Sequence, residues 1–269
     1  MRVGRSWFLF FLLSLLSTEI GKSERPGFYA FFNGVPKMDP EKEAALLKSL
    51  GYDGISQLYA SEGGGKLAKR VAAYERSGVK VLSIYLPATK DPIKPEVVHA
   101  LANKGGMIEL TVQRIDDEII SSIGKTAEMA EKLGIKVVLY PHAGFAVATM
   151  PQAMELIKTV KHPNLGVMFN LCHFLKNEKA EDLEKVLEAA GDRLFAVSTC
   201  GADLDGKGWN TLIQTLDKGS FPQKRLFKKL REVGFKGPVG IQGYGLKGDR
   251  AENLKASSKA WQKLWEGGL

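Results

Sequence analysis

One phrase recurs along the chain and constrains it more than any other feature: a short run rich in β-branched and aromatic residues, then a longer amphipathic segment that stops at glycine. The runs fall at Phe28–Asn33, Gly54–Tyr59, Lys80–Leu86, Met107–Val112, Val137–Tyr140, Gly166–Asn170, Leu194–Thr199 and Val239–Gln242. Between them, Glu41–Leu50 stops at Gly51, Lys66–Arg76 at Gly78, Asp117–Leu133 at Gly134, Ala180–Ala190 at Gly191 and Lys224–Val233 at Gly234. Glu96–Asn103, Pro151–Val160 and Arg250–Trp265 add further helical segments. Parallel strands cannot be joined by a tight turn, so each needs a crossover, and this alternation is the crossover written in sequence. Eight such units in 269 residues, with no inserted linker, predict an α/β fold of the (β/α)8 TIM barrel type in one domain; such barrels run to about 250 residues. A doubly wound sheet would carry a GxGxxG turn after its first strand, whereas this chain reads Asn33-Gly34-Val35-Pro36 there. In a barrel, chemistry belongs at the carboxyl ends of the strands.

The amino terminus is set apart from this pattern. Arg2 and Arg5 precede an apolar run from Trp7 to Leu13 that continues through Leu15 and Leu16. Its length, about a dozen residues, is short of the roughly 20 that span a bilayer, so it reads as an export signal and not as an anchor. Residues 1–24 are therefore expected to be a signal peptide with a short linker, residues 25–269 the barrel, and the protein exported to a periplasm or secreted, free of the membrane after cleavage. Thirty-eight Lys plus Arg against 30 Asp plus Glu give a net charge of +8. That basic excess is spread over helices such as Lys224–Arg231, as on a solvated face, so no nucleic-acid partner is expected. The two cysteines, Cys172 and Cys200, are too few for a disulfide scaffold and lack zinc-ribbon spacing. They follow consecutive strands, which brings them near each other, and export would permit a disulfide between them.

The strand ends are polar in a way that packing does not explain. After the fifth strand comes Tyr140-Pro141-His142-Ala143-Gly144, after the sixth Asn170-Leu171-Cys172-His173, after the seventh Ser198-Thr199-Cys200-Gly201-Ala202-Asp203, and after the eighth Gln242-Gly243-Tyr244-Gly245. Two of the four histidines lie here, on adjacent strand ends beside Asn170 and Gln242; His99 and His162 fall on helix or loop surfaces and receive no role. In the glycine-rich loop from Cys200 to Phe221, Trp209 offers a flat face for a sugar or pins the loop to the barrel. Lys247, in the turn Gly243–Gly248, meets an anion near the usual phosphate position of barrels or is simply solvated.

These motifs resemble those of the xylose isomerase-like TIM barrel superfamily, the sugar phosphate isomerase/epimerase group that also includes endonuclease IV, over nearly all of the chain after the amino-terminal segment. The resemblance implies a strand five ending in Glu followed by Asn-His, a strand six ending in Asp-x-x-His, a strand seven ending in His and a strand eight ending in Glu, together holding a divalent metal. His142 and His173 match the accompanying histidines, but Tyr140, Asn170, Ser198 and Gln242 stand where the metal ligands would be. Glu62, Glu109, Asp203 and Asp205 lie near strand ends, none at a matching position. Amides, a phenol and a hydroxyl lack the anionic oxygen that Mg²⁺ and Mn²⁺ prefer, so no cofactor is assigned; if a divalent metal is kept, His142 and His173 are the ligands expected to survive.

The expected activity is then sugar isomerisation or epimerisation by proton transfer beside a carbonyl, on a small-molecule carbohydrate. His173 is the first choice for proton transfer, as an imidazole titrating near neutral pH, with His142 beside it. Tyr140 is expected to donate to a developing enolate oxygen. Asn170, Gln242, Ser198, Trp209 and Lys247 are the expected substrate contacts. Export favours a free sugar, a sugar acid or an oxidised glycoside over a phosphorylated one. Two alternatives stay open: a carbohydrate-binding barrel without turnover, and an endonuclease IV-like phosphodiesterase, which the lost metal ligands disfavour. The oligomeric state is not written in the sequence.

Overall fold

Strands that are buried on both faces lose the polar alternation of a half-exposed sheet, and the computed structural model, which describes residues 25–266, shows why the runs read as continuously apolar. Ten strand segments form one wholly parallel sheet that closes on itself. Two pairs of segments are single strands with one interruption each, leaving eight barrel strands among the described residues. They are β1 (Phe28–Phe31), β2 (Gly54–Ser56 and Leu58–Tyr59), β3 (Lys80–Val81 and Ser83–Pro87), β4 (Met107–Thr111), β5 (Lys136–Leu139), β6 (Leu165–Asn170), β7 (Leu194–Thr199) and β8 (Val239–Ile241). Each strand pairs with the next, and the seam closes where β1 lies between β8 and β2, with Tyr29 opposite both Gly240 and Gly54.

Side chains alternate between two apolar environments, as the period of two requires. Tyr29, Phe31, Leu82, Met107, Val138, Tyr140, Met168 and Ala196 pack together in the lumen. Their neighbours Phe28, Ala30, Ile108, Val137, Leu139, Val167 and Val197 pack outward against the helices. The helices are α1 (Pro40–Ser49), α2 (Gly65–Arg76), α3 (Pro95–Val98), α4 (Asp117–Lys132), α5 (Met150–Val160), α6 (Leu171–Asn177), α7 (Leu183–Ala190), α8 (Trp209–Leu212), α9 (Gln223–Glu232) and α10 (Arg250–Glu266). The glycine stops are real: at Gly134, after α4, φ is +63° and an added Cβ would sit 2.6 Å from the Asn103 side chain.

Two differences from the sequence reading bear on the site. Residues 171–177, to which no helix was assigned from the sequence, form α6 directly after β6, so His173 stands in the first turn of a helix. The loop from Cys200 to Phe221 contains the short α8, which begins at Trp209. The segment read as an export signal, residues 1–24, lies outside the described residues. Among the described residues no helix is long and apolar enough to cross a membrane.

The last helix locks the seam. Trp261 stacks on Phe28 at 4.4 Å between ring centroids, Phe28 stacks on Tyr52 at 4.5 Å, and Phe227 meets Trp261 edge-on at 5.3 Å. Tyr52 also donates its hydroxyl to the Leu254 carbonyl at 2.9 Å. Trp261 is 1% exposed, so Trp261→Ala is expected to lower unfolding free energy by about 3–5 kcal/mol, the usual cost of truncating a buried aromatic, as measured by urea denaturation.

Candidate active site

A cavity of about 320 Å³ opens at the carboxyl end of the barrel. Its wall is built strand by strand: Asn33 after β1, Gln57 and Tyr59 of β2, Tyr85 of β3, Tyr140 and His142 after β5, His173 of α6, Trp209 and Ile213 of the loop after β7, and Gln242 and Tyr244 after β8. A larger groove, about 580 Å³, runs along α10 beside Lys255, Lys259 and Lys263. It holds no histidine, cysteine or phenol, so the smaller cavity is where the chemistry converges.

Five residues singled out in the sequence meet in this cavity: Tyr140, His142, His173, Trp209 and Gln242. Three do not. Asn170 and Ser198 are 2% and 0% exposed and lie behind the wall, where neither reaches the cavity. The Asn170 Oδ1 takes the Cys172 thiol at 3.2 Å, while Asn170 Nδ2 and Ser198 Oγ have no hydrogen-bond partner among the described residues. Lys247 is exposed on the loop after β8 and does not line the cavity, and its carbonyl accepts from Asn253 Nδ2 at 3.0 Å. Cys172 and Cys200 do pack together, with Leu212 and Ile213, but as free thiols, the second donating to the Leu212 carbonyl at 3.3 Å. Asn33, Gln57, Tyr59, Tyr85 and Tyr244 were missed. Parity was the available signal for the first: Tyr29 and Phe31 face the lumen, so Asn33 continues their row.

The two imidazoles are held by the backbone of one residue. The Ala143 N–H donates to His173 Nδ1 at 3.1 Å, and the Ala143 carbonyl lies 2.9 Å from His142 Nδ1. A backbone N–H only donates and a carbonyl only accepts, so neutral His173 must carry its proton on Nε2 and His142 must carry its proton on Nδ1. The free ring nitrogens are therefore opposite in kind: His142 Nε2 is a base, His173 Nε2–H is a donor. The rings lie 4.2 Å apart, with Phe145 stacked on His142 at 4.3 Å, and Tyr140 and Trp209 edge-on to His173 at 5.7 and 5.1 Å.

Burial sets the protonation states. Desolvation first, and the neighbouring His142 second, depress His173 from its ordinary 6.5 to about 3. The expectation that it titrates near neutral pH is thus corrected: it stays neutral, because a charged imidazole would be buried beside another. Desolvation also lowers His142, opposed by its bond to the Ala143 carbonyl. Burial raises Tyr140 well above its ordinary value, so the phenol keeps its proton. Its oxygen accepts from Gln242 Nε2 at 3.4 Å, and a hydrogen bond with the Gln57 side chain partly offsets the rise.

Gln242 is itself fixed. Its Oε1 accepts from Asn33 Nδ2 at 2.7 Å and from the Gly243 and Tyr244 N–H groups at 3.0 Å each. The two loops can come this close only because Gly34 and Gly243 face each other: a Cβ on Gly243 would sit 2.6 Å from the Gly34 Cα. That oxygen, with three donors on it, has no capacity left for a metal. Among the described residues no group of three or more His, Cys, Asp or Glu side chains is placed to hold one. The donors at the strand ends, a phenol and amides beside two imidazoles with Nδ1 engaged, do not fit the divalent ion that the family pattern implies.

A family model for the xylose isomerase-like TIM barrel matches residues 97–264, and the chain belongs to that family. A protein described as a probable ketose 3-epimerase, from Synechocystis sp., is 27% identical over 141 residues, 51% of this chain and 44% of that protein, so this chain spans less than half the length of that relative. Among solved structures, L-ribulose 3-epimerase superposes with a TM-score of 0.71 at 16% identity, over 90% of this chain and 95% of that one. The 3-keto-D-glucoside 4-epimerase from E. coli superposes at 0.69 with 17% identity, over 89% of this chain and all of the other. At these identities the structural likeness establishes the fold.

Between the ordinary and the depressed value of His173, the unfolded chain binds a proton that the folded chain excludes, so this group's contribution to stability is lost as pH falls from about 6.5 towards 3. His173→Asn removes the term. Its urea midpoint, compared with the unmodified protein, is expected to rise steadily as pH drops through that window; a constant difference would contradict a buried neutral imidazole.

Proposed function

We propose that the protein is a carbohydrate isomerase or epimerase that moves a proton next to a carbonyl without a divalent metal of the family type. The observation that carries this is the pair of opposed imidazoles, a base and a donor on one peptide clamp, facing a protonated phenol. His142 Nε2 takes the proton from the carbon beside the carbonyl. The electron pair moves into an enolate, whose oxygen is met by the Tyr140 O–H and the His173 Nε2–H, two neutral donors in a largely dry cavity. The imidazolium formed on His142 then returns the proton to the neighbouring carbon of the enediol, with the hydroxyl proton moving to the other oxygen, which isomerises the sugar; if the enolate turns in the cavity and takes the proton on its other face, the sugar is epimerised. This reverses the roles given by the sequence, where His173 was the first choice for proton transfer.

The lining supports an uncharged sugar as substrate. No lysine, arginine or carboxylate lines the cavity among the described residues, so nothing there would neutralise a phosphate or a sugar acid. Tyr59, Trp209 and Tyr244, each partly exposed at the mouth, offer faces on which a pyranose or furanose ring can stack. The same lining argues against phosphodiester cleavage, which calls for clustered metals or cations. Export is part of the proposal, resting on Arg2 and Arg5 ahead of the apolar run; mass spectrometry of the amino terminus after expression with a secretion pathway should show cleavage before Arg25, and an intact Met1 would contradict it.

The test is deuterium incorporation. In deuterated water, with a panel of neutral ketoses and 3-ketoglycosides, the protein is expected to place deuterium on carbon at an undiminished rate in excess chelator. His142→Ala should slow this by about 10²–10⁴-fold, the usual worth of a general base. Saturable sugar binding without any incorporation would mark a binding protein instead, and incorporation abolished by chelator would sink the metal-free mechanism.

A further inference from the structure

Glu109 is a charged side chain with no exposed surface, set in the inward row of β4 between Met107 and Thr111. Its partners are Ser83, which donates its hydroxyl to Oε1, and Gln57, whose Nε2 donates to Oε2 at 3.3 Å. Gln57 is held there at some cost. Its φ is +57°, a left-handed conformation rare for a residue with a Cβ, and it is the residue that interrupts β2. Its backbone N–H donates to Ser83 Oγ at 2.8 Å, so Ser83 and Glu109 together grip both ends of Gln57.

The direction of every bond in this group follows from backbone donors. Gly243 and Tyr244 N–H groups point at Gln242 Oε1, and Gly243 N–H also reaches Asn33 Oδ1 at 3.3 Å. The Asn33 Nδ2 must then face Gln242 Oε1 at 2.7 Å and Gln57 Oε1 at 3.3 Å. That leaves Gln57 Nε2 to face Glu109. In this arrangement both Glu109 oxygens accept; a proton on Oε2 would confront the Gln57 amide, and one on Oε1 would force the Ser83 hydroxyl to turn away.

We propose that Glu109 is a positioning residue: its ionised carboxylate, gripping Ser83 and the Gln57 amide, holds Gln57 in place at one end of the amide chain Gln57–Asn33–Gln242, whose sense the Gly243 and Tyr244 N–H groups set. The chain forms the cavity floor, and Tyr140 is bonded from both of its ends, by Gln242 Nε2 and by the Gln57 side chain that Glu109 holds. Burial opposes the ionised form, holding the carboxyl up at about 7 against the two hydrogen bonds that favour it. The groups facing it are Ser83 and Tyr85 from β3, Gln57 from β2 and Tyr140 from β5; both phenols are raised, with Glu109 among the causes. Near neutrality, then, loss of the charge releases Gln57 and unsets the floor. The consequence for turnover rests on the isomerase or epimerase reading; the arrangement of the floor does not.

Side-chain amide NMR of the full chain labelled with ¹⁵N-glutamine separates the two. The Gln57 signals, assigned by their loss in Gln57→Ala, are expected to shift with pH around a midpoint near 7 and to become flat in Glu109→Gln. No sugar is needed, and flat Gln57 signals in the unmodified protein, or an unchanged titration in Glu109→Gln, would overturn the proposal. In the second arm, with D-fructose as the probe in deuterated water, the fall in rate with a midpoint near 7 should vanish in Glu109→Gln, leaving the more acid limb set by the base His142, and adding Glu109→Gln to Gln57→Ala should slow exchange no further than Gln57→Ala alone. An additional loss in the double variant would show that Glu109 does not act through Gln57. Absence of exchange in the unmodified protein would strike at the isomerase reading and leave the NMR result to decide on Glu109; should Glu109→Gln fail to fold, the titration of the unmodified protein decides.

Discussion

The backbone of Ala143 sits between two imidazoles, its N–H donating a hydrogen bond to one and its carbonyl accepting a hydrogen bond from the other. Because these two backbone groups cannot exchange roles, the site acquires a base and a donor without any charged residue to polarise it. The clamp is itself held. The His142 N–H donates to the Val147 carbonyl at 3.0 Å, the Phe145 N–H to the His142 carbonyl at 3.1 Å, and the Val147 N–H to the Val112 carbonyl at 3.2 Å, tying the loop after β5 to the end of β4. Capping of α5 by Thr149 and Gln152 then fixes where that loop must end.

The same logic of neutral groups runs through the cavity floor. Where the family pattern calls for carboxylates around a divalent ion, this chain places amides whose orientation is set by backbone N–H groups and by the close approach of Gly34 and Gly243. The carboxyl of Glu109, bonded to Ser83 and Gln57, lies beneath the floor, not in the wall. Asn170 and Ser198 keep their places at the ends of β6 and β7, yet each retains a buried polar atom without a partner among the described residues, a cost of the kind usually avoided in native cores.

The barrel was legible because its signals are local and repeated: apolar runs of strand length, amphipathic crossovers, and glycines such as Gly134 at the helix ends. The convergence of Tyr140, His142, His173 and Gln242 followed from the rule that strand carboxyl ends share one face. What the sequence could not show was depth. Asn170 and Tyr140 both follow inward rows, but the Tyr140 ring reaches the cavity and Asn170 is covered. Nor could it show that His173, only 5% exposed and beside a second imidazole, is too buried to titrate near neutral pH. The helix α6 went unseen since its seven residues are too few for a period to emerge. Gln57 gave no warning at all: a left-handed glutamine inside a β-run has no sequence signature, and its conformation is imposed by Ser83, Glu109 and Asn33 from three other strands.

Everything proposed for catalysis depends on which ring nitrogens carry protons. Long-range ¹H–¹⁵N correlation spectra of the imidazoles at pH 7, with the two residues assigned by substitution, read this directly. His142 should be neutral with its proton on Nδ1, and His173 neutral with its proton on Nε2. The reverse pair of tautomers, or a charged imidazolium at His173, would contradict the clamp at Ala143 and with it the assignment of His142 as the base.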